Sequence, residues 1–203
     1  MTILTLVRHG QTDWNLARRI QGETDVPLND TGRRQAGDAA SALAEMLDLT
    51  RPTVVVASDL SRAGETAEII ADRLGLDAPR KRYRELRERA YGEAEGVFIE
   101  DFLARFGSWD RDNIPGAETR PELRARGVRA LRRVARDVRS ESAPTAASVI
   151  VVAHGALIGE MIRHASGDTL PLAGERIENG SAHMFHIDGD ALRLLSYSAV
   201  AAA

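Results

Sequence analysis

Three short apolar runs, residues 3–7, 54–57 and 149–153, restrict the fold more than any other feature of the chain. Each is rich in β-branched residues and none alternates with polar ones, the pattern of a strand covered on both faces. Helical spacing fills the segments between them. Thr31 stands where an N-cap belongs, ahead of Ala36, Ala40, Leu43 and Leu47 on one face. Residues 63–74 repeat the pattern with Ala67, Ile70 and Leu74, and stop at Gly75. A third stretch holds Leu131, Val134 and Val138, and a fourth follows His154 through Met161. Strand alternating with helix predicts an α/β chain, a three-layer α/β/α sandwich around a mostly parallel central sheet.

Two further strands are expected at 182–187 and 191–197, joined across Asp188, Gly189 and Asp190 as a terminal hairpin. Residues from about 89 to 120 are the least regular and read as a small cap inserted into the core. Within it, the spacing of Phe98, Phe102, Phe106 and Trp109 suits a helix packed on its domain. The 203 residues match a single domain over 1–203, long enough to fold without disulfides or a structural metal. The final AVAAA carries no signal.

Composition removes several kinds of chemistry. With no cysteine, thiol catalysis, Cys-ligated zinc and iron–sulfur clusters are all excluded. A net charge of −3 does not identify a polyionic partner. The N-terminus lacks a basic leader, and no apolar run nears the roughly 20 residues of a membrane helix. A cytoplasmic protein with no membrane partner is expected.

All three apolar runs end in reactive groups: Arg8, His9 and Gly10; then Ser58, Asp59, Leu60, Ser61 and Arg62; then His154 and Gly155. In open α/β sheets, ligands bind outside the carboxyl ends of the strands. Neighbouring strands would therefore gather two histidines and two arginines. Gly10 and Gly155 allow a sharp turn or close approach after each histidine, and the helix after His154 offers an N-terminus that favours an anion. Taken singly, a His-Gly after a strand is an ordinary turn and an arginine is an ordinary surface residue. Three strand ends with the same chemistry instead describe an anion pocket containing imidazoles.

Such a pocket suits phosphoryl transfer through a histidine nucleophile. Guanidinium groups would stabilise the charge on the transferring group, so no metal or other cofactor is called for. The leaving oxygen needs a proton, and Glu85, Glu88, Glu93 and Glu95 are all chemically suited to give it. No HExxH, GxxxxGK[ST] or GxSxG motif is present, and His183 and His186 read as strand and surface residues.

The segments LVRHGQTDWN, SDLSRAGETA and VVAHG, in that order, resemble the histidine phosphatase superfamily, also called phosphoglycerate mutase-like. The resemblance spans residues 3 to about 187. It implies that fold, with His9 as the phosphorylated nucleophile and Arg8, Arg62 and His154 completing the phosphate pocket. The family's acid is similar in setting to Glu88, within Glu88, Arg89, Ala90, Tyr91 and Gly92. Asn15, Gln21 and Gly22 match a loop that faces phosphate and substrate, and Gly155 follows the second histidine. The alternative for that loop is a polar turn without ligand contact. Ala94, Glu95 and Gly96 depart from relatives that carry an aromatic residue before Glu-Gly. The stretches 115–119 and 179–181 are similar to two further family turns.

A metal-independent phosphatase acting on a small phosphorylated metabolite is expected. The runner-up is a cofactor-dependent phosphoglycerate mutase, which must hold a bisphosphate. Residues 98–114 offer only Arg105 and Arg111 against Glu100, Asp101, Asp110 and Asp112, a poor cradle for a second phosphate. The arginines at 124, 126, 129, 132, 133, 136 and 139, with Arg80, Lys81 and Arg82, raise a nucleic-acid surface as a different class. A solvated helix face accounts for them, and no nucleic-acid partner is expected. A catalytically silent scaffold is disfavoured because Arg8, His9, Arg62, Glu88 and His154 are all present. A homodimer stays open.

Overall fold

The computed structural model describes residues 2–79, 81–107, 114–145, 147–189, 191–198 and 200–201. In chain order, strand β1 (Thr2–Arg8) leads through a single helical turn, α1 (Asp13–Leu16), to helix α2 (Asp30–Met46). Strand β2 (Thr53–Ser58), helix α3 (Ser61–Leu74) and the short strand β3 (Arg82–Tyr83) follow. Two 3-10 turns, Arg84–Leu86 and Gly92–Ala94, precede helices α4 (Ile99–Phe106) and α5 (Arg120–Ser142). Strand β4 (Ser148–Ala153), helix α6 (Gly155–Ala165) and strands β5 (Glu175–Arg176), β6 (Ala182–Asp188), β7 (Ala191–Ser196) and β8 (Val200–Ala201) complete the chain.

The three apolar runs are β1, β2 and β4, and they lie together in a six-stranded sheet of order β3-β2-β4-β1-β6-β7. The first four strands in that order pair in parallel, while β6 and β7 add an antiparallel hairpin beside β1. Both faces of the central strands are covered, which is why their sequences do not alternate. On one face Leu4, Leu6, Val149 and Val151 meet α5 and α6 through Leu131, Val134, Leu157 and Met161. On the other, Val7, Val55, Ile150 and Val152 meet α2 and α3 through Ala40, Leu43, Ala67 and Ile70. A mixed α/β sandwich results. A separate cluster of Ile20, Tyr91, Ala94, Phe102 and Ile114 packs beneath the irregular segment.

Register fixes where the chemistry sits. Arg8 lies opposite Ala153 and Ala57 opposite Val152, so His9, Ser58 and His154 leave the sheet at one level. The chain then turns sharply. A Cβ on Gly10 would come 2.2 Å from the Gly32 carbonyl oxygen, and one on Gly32 would come 2.1 Å from that of Gln11. Backbone therefore rests on backbone where the loop after β1 crosses the start of α2.

Several local details differ from the sequence reading. Helix α2 is capped by Asn29, whose side chain accepts from Gly32 N at 2.9 Å, and Thr31 falls inside the first turn. Asn29 wins because its backbone is extended there, as a cap requires. His183 is a buried residue of β6 rather than a surface one, with its Nε2 2.9 Å from Ser181 Oγ. In the aromatic series Phe102 is buried while Phe98 is 49% exposed; Trp109 lies outside the described residues. The silent C-terminal tail supplies β8, which pairs with β5 by placing Val200 opposite Arg176. Among the described residues no helix is long and apolar enough to cross a membrane.

Because the crossing at Gly10 and Gly32 has no room for a side chain, Gly32→Ala should destabilise the fold by more than ~1 kcal/mol. A lower urea midpoint with an unchanged slope would show it, and an unchanged midpoint would mean that the two loops separate freely.

Candidate active site

His9 is only 2% exposed, and its main chain is pinned from three sides. Its N–H donates to Ala153 O, its carbonyl accepts from Asn179 Nδ2 at 2.8 Å, and the following Gly10 N donates to Thr66 Oγ1. The ring is held at both nitrogens. Nδ1 lies 2.7 Å from the Gly10 carbonyl oxygen, which can only accept, so the proton resides on Nδ1. Nε2 then keeps a lone pair, towards which Arg62 Nε donates at 3.3 Å. Burial, reinforced by the charges of Arg62 and Arg8, holds the imidazole well below its ordinary range.

His154 follows β4 as the residue before α6, fully buried, with its ring centre 5.1 Å from that of His9. Neither of its ring nitrogens has a hydrogen-bond partner among the described residues. Its pKa is also well below the usual value, first through burial and then through Arg62, His9 and Arg8. Both imidazoles are therefore neutral bases or acceptors at pH 7.

Arg62 is 0% exposed on the first turn of α3. Besides His9, it donates to Thr24 O and Gly22 O, each at 2.8 Å. Burial lowers its pKa to about 10, so it remains a cation. Arg8 donates to Ile177 O at 2.5 Å, while its Nε has no hydrogen-bond partner among the described residues. Burial lowers its pKa too, opposed by the nearby Glu88.

Glu88 comes from outside the sheet. Its carboxylate accepts from Ala156 N at 3.0 Å, Leu157 N at 3.1 Å and its neighbour Arg89 N at 2.9 Å. The N-terminus of α6 thus faces an anion supplied by the chain itself. Glu88, Arg8, Asn15, Tyr91 and Gly155 line one cavity of about 520 Å³. Of the other three glutamates, Glu85 pairs with Arg133 and Glu93 lies 3.8 Å from Arg105. Glu95 accepts from Tyr91 N, Glu23 N, Thr24 N and Thr24 Oγ1.

The loop residues divide by placement. Asn15 Oδ1 accepts from Thr12 N at 3.1 Å, and its side chain faces the cavity. Gln21 is buried at 8% exposure, its Oε1 accepting from Thr12 Oγ1. Gly22 has φ +55° and offers its carbonyl to Arg62. Gly155 opens α6, where a Cβ would come 3.1 Å from Arg8 Nε.

Two residues that the sequence offers for other roles, Glu95 as an acid and Arg126 as one of the helix arginines, hold the site in position. Glu95 clamps the loop whose carbonyls bind Arg62. Arg126, on α5, donates to the carbonyls of Glu85, Arg87 and Glu88 and makes a two-pronged pair with Glu118. It holds the segment that carries Glu88. Three of the seven arginines between 124 and 139 pair with acids: Arg124 with Glu160, Arg126 with Glu118 and Arg133 with Glu85. Lys81 pairs with Glu141 and Arg82 with Glu68; Arg80 lies outside the described residues.

Strand ends that gather two neutral imidazoles, the buried guanidinium of Arg62 and the half-buried one of Arg8 define an α/β protein with an anion pocket there. The family model of the histidine phosphatase superfamily (branch 1) matches residues 4–199, and the chain belongs to that family. It is 36% identical over 199 residues to a Bacillus subtilis protein named "Uncharacterized phosphatase PhoE", covering 98% of this chain and 95% of that one. It is 35% identical over 198 residues to "Phosphoglycerate mutase-like protein 4" of Arabidopsis thaliana, covering 92% and 80%. A solved structure of a mycobacterial glucosyl-3-phosphoglycerate phosphatase, complexed with VO3, matches with a TM-score of 0.76 at 28% identity, covering 99% of each chain. The fold is that of the phosphoglycerate mutase-like histidine phosphatases, and the relatives define a hydrolase or mutase of that superfamily.

His9, His154 and His183 all titrate below their ordinary value of 6.5, His183 at about 4 because it is buried. The unfolded chain therefore takes up protons first as pH falls. Stability should be full above about pH 6.5 and decline as pH drops from there towards the folded-state values. Urea midpoints measured from pH 8 to 5 test this. Nitrogen NMR should show the His9 proton on Nδ1 at pH 7; a proton on Nε2 would reverse the assignment of the lone pair.

Proposed function

We propose that the protein hydrolyses phosphate monoesters through a phosphohistidine formed on His9. The observation that carries this reading is the 2.7 Å contact between His9 Nδ1 and the Gly10 carbonyl oxygen, which assigns the tautomer. A neutral ring with Nδ1–H on the Gly10 carbonyl leaves the Nε2 lone pair beside a guanidinium. In the first step Nε2 bonds to phosphorus while the ester P–O bond breaks. The leaving oxygen takes a proton from Glu88, whose carboxylate first receives that proton from the bound phosphate monoanion. In the second, Glu88 as carboxylate removes a proton from water, whose oxygen attacks phosphorus. The P–N bond breaks and its electron pair returns to Nε2, releasing inorganic phosphate.

Arg8, Arg62 and His154 serve the transferring group in this scheme. Arg8 Nε and both His154 nitrogens are buried polar atoms with no hydrogen-bond partner among the described residues, the kind of group that a phosphoryl oxygen or hydroxyl satisfies. Fixed cations can carry the charge of the transition state, so the reaction needs no metal. Asn15 and Gly155 border the substrate from the cavity wall, while Gln21 and Gly22 shape the loop behind Arg62. The substrate is a small phosphorylated metabolite.

Hydrolysis is favoured over mutation by the near full-length match to the phosphatase-named bacterial relative, against 80% of the mutase-named plant one. One observation favours the mutase. Outside residues 98–114, Arg18, Arg19, Arg120, Arg163 and Arg176 also line the cavity, from other elements.

The decisive assay follows phosphate release from a panel of monoesters that includes 3-phosphoglycerate. The same samples are checked for 2-phosphoglycerate, with and without 2,3-bisphosphoglycerate. Release without isomerisation is expected; isomerisation with little release would establish the mutase. His9→Ala should abolish turnover while leaving the fold intact, and retained activity would remove the phosphohistidine. Glu88→Gln should slow alkyl phosphates by ~10²–10⁴ and aryl phosphates much less, since aryl oxides leave without a proton. Equal slowing of both would displace Glu88 as the acid. EDTA should leave the rate unchanged.

A further inference from the structure

The acid and the phosphoryl site belong to opposite layers of the sandwich. Arg62 lies on α3, which packs with α2 on one face of the sheet, whereas Glu88 bonds the start of α6 on the other. A proton can pass to the leaving oxygen only if these two layers keep one separation at the site. The bonds of Glu88 and the grip of Arg126 fix the acid to α6 and α5. They do not tie it to the layer that carries Arg62.

Arg87, directly before Glu88, spans that gap. Its Nε and Nη2 donate to Asp59 Oδ1 and Oδ2, each at 2.7 Å, and its Nη1 lies 3.5 Å from Glu23 Oε1. Both anchors border Arg62. Asp59 stands three residues before it, between β2 and α3, and Glu23 lies between Gly22 and Thr24, whose carbonyls accept from it. The backbone at Arg87 is extended, with φ −56° and ψ 160°, so adjacent side chains leave it on opposite sides. One reaches the loops around Arg62 and the next reaches α6.

With side chains 24% and 30% exposed, the Arg87–Asp59 pair adds little to stability by charge alone. Its geometry is what counts, because a two-pronged guanidinium–carboxylate contact fixes direction as well as distance. The same fork holds the Asp59 carboxyl below its ordinary range and raises Arg87, so the pair stays ionised at neutral pH. Arg87 and Asp59 lie outside the lining of the cavity, and substrate is reached only through their neighbours.

We infer that Arg87 is a positioning residue: forked onto Asp59, it holds Glu88 at the distance from the Arg62-bound phosphoryl group at which a proton reaches the leaving oxygen. The inference rests on Glu88 being the proton donor.

The test uses the full chain and two substrates. One is p-nitrophenyl phosphate, whose leaving oxide needs no proton, and the other is the alkyl phosphate that the enzyme hydrolyses fastest. Arg87→Met keeps the stem and removes the fork. It should lower kcat for the alkyl ester by about tenfold, the scale of a small misplacement of a reacting group. KM and the p-nitrophenyl phosphate rate should hardly move. Arg87→Lys, which keeps the charge without the fork, should recover part of the loss. Asp59→Asn, close in shape to the original, should shift the alkyl rate the same way by less, and it serves if Arg87→Met does not fold. In a Glu88→Gln background, Arg87→Met should leave the alkyl-to-aryl ratio where Glu88→Gln alone puts it. Equal slowing of both substrates by Arg87→Met, or an unchanged alkyl rate, would overturn the inference and leave the acid in place. So would a change of ratio that adds to that of Glu88→Gln, because Arg87 would then act on something other than the acid. Equal slowing of both substrates by Glu88→Gln alone would instead remove the proton donor, and the inference with it.

Discussion

A guanidinium with no exposed surface and no carboxylate bonded to it is the constraint around which this site is built. Arg62 is bonded by two carbonyls and an imidazole, and losing any of these would leave a buried cation short of an acceptor. The carbonyls belong to Gly22 and Thr24, so the loop that carries them has to hold one shape. Glu95 enforces it from the cap side. Asp25 enforces it from the other, accepting from Ser61 N and Ser61 Oγ next to Arg62 in sequence. Cap, loop and α3 are thereby locked around a single side chain.

A second fastening governs the acid. Glu88 is bonded to the first N–H groups of α6, directly after His154, so the carboxylate and the second imidazole share one helix start. Arg126 grips the same segment from α5 through three carbonyls. The side chain that would exchange protons is thus positioned against two helices that also pack on the sheet. Such support keeps a reactive group within reach without relying on a loose loop.

Much of this was legible in the sequence because the relevant signals are local. Uninterrupted β-branched runs announce strands covered on both faces, and the polar residues at their ends need only adjacency to converge. What stayed hidden depends on distant partners. Four glutamates between 85 and 95 are chemically alike, and only the fold separates Glu88 at a helix start from Glu95 on a loop and Glu85 on Arg133. Arg126 is one arginine in a helix crowded with them, and nothing in its spacing reveals three carbonyl acceptors. Val200 and Ala201 of the tail pair through their backbone, which leaves no trace in side-chain pattern. Asn29 and Thr31 are both good caps on propensity, and the path of the incoming chain decides between them.

The five-residue cluster of Ile20, Tyr91, Ala94, Phe102 and Ile114 packs apart from the two cores that clasp the sheet. One of its members, Tyr91, also faces the cavity. The wall that meets a leaving group thus rests on a small core of its own, so its apolar side chains can change without opening either of the two cores that clasp the sheet.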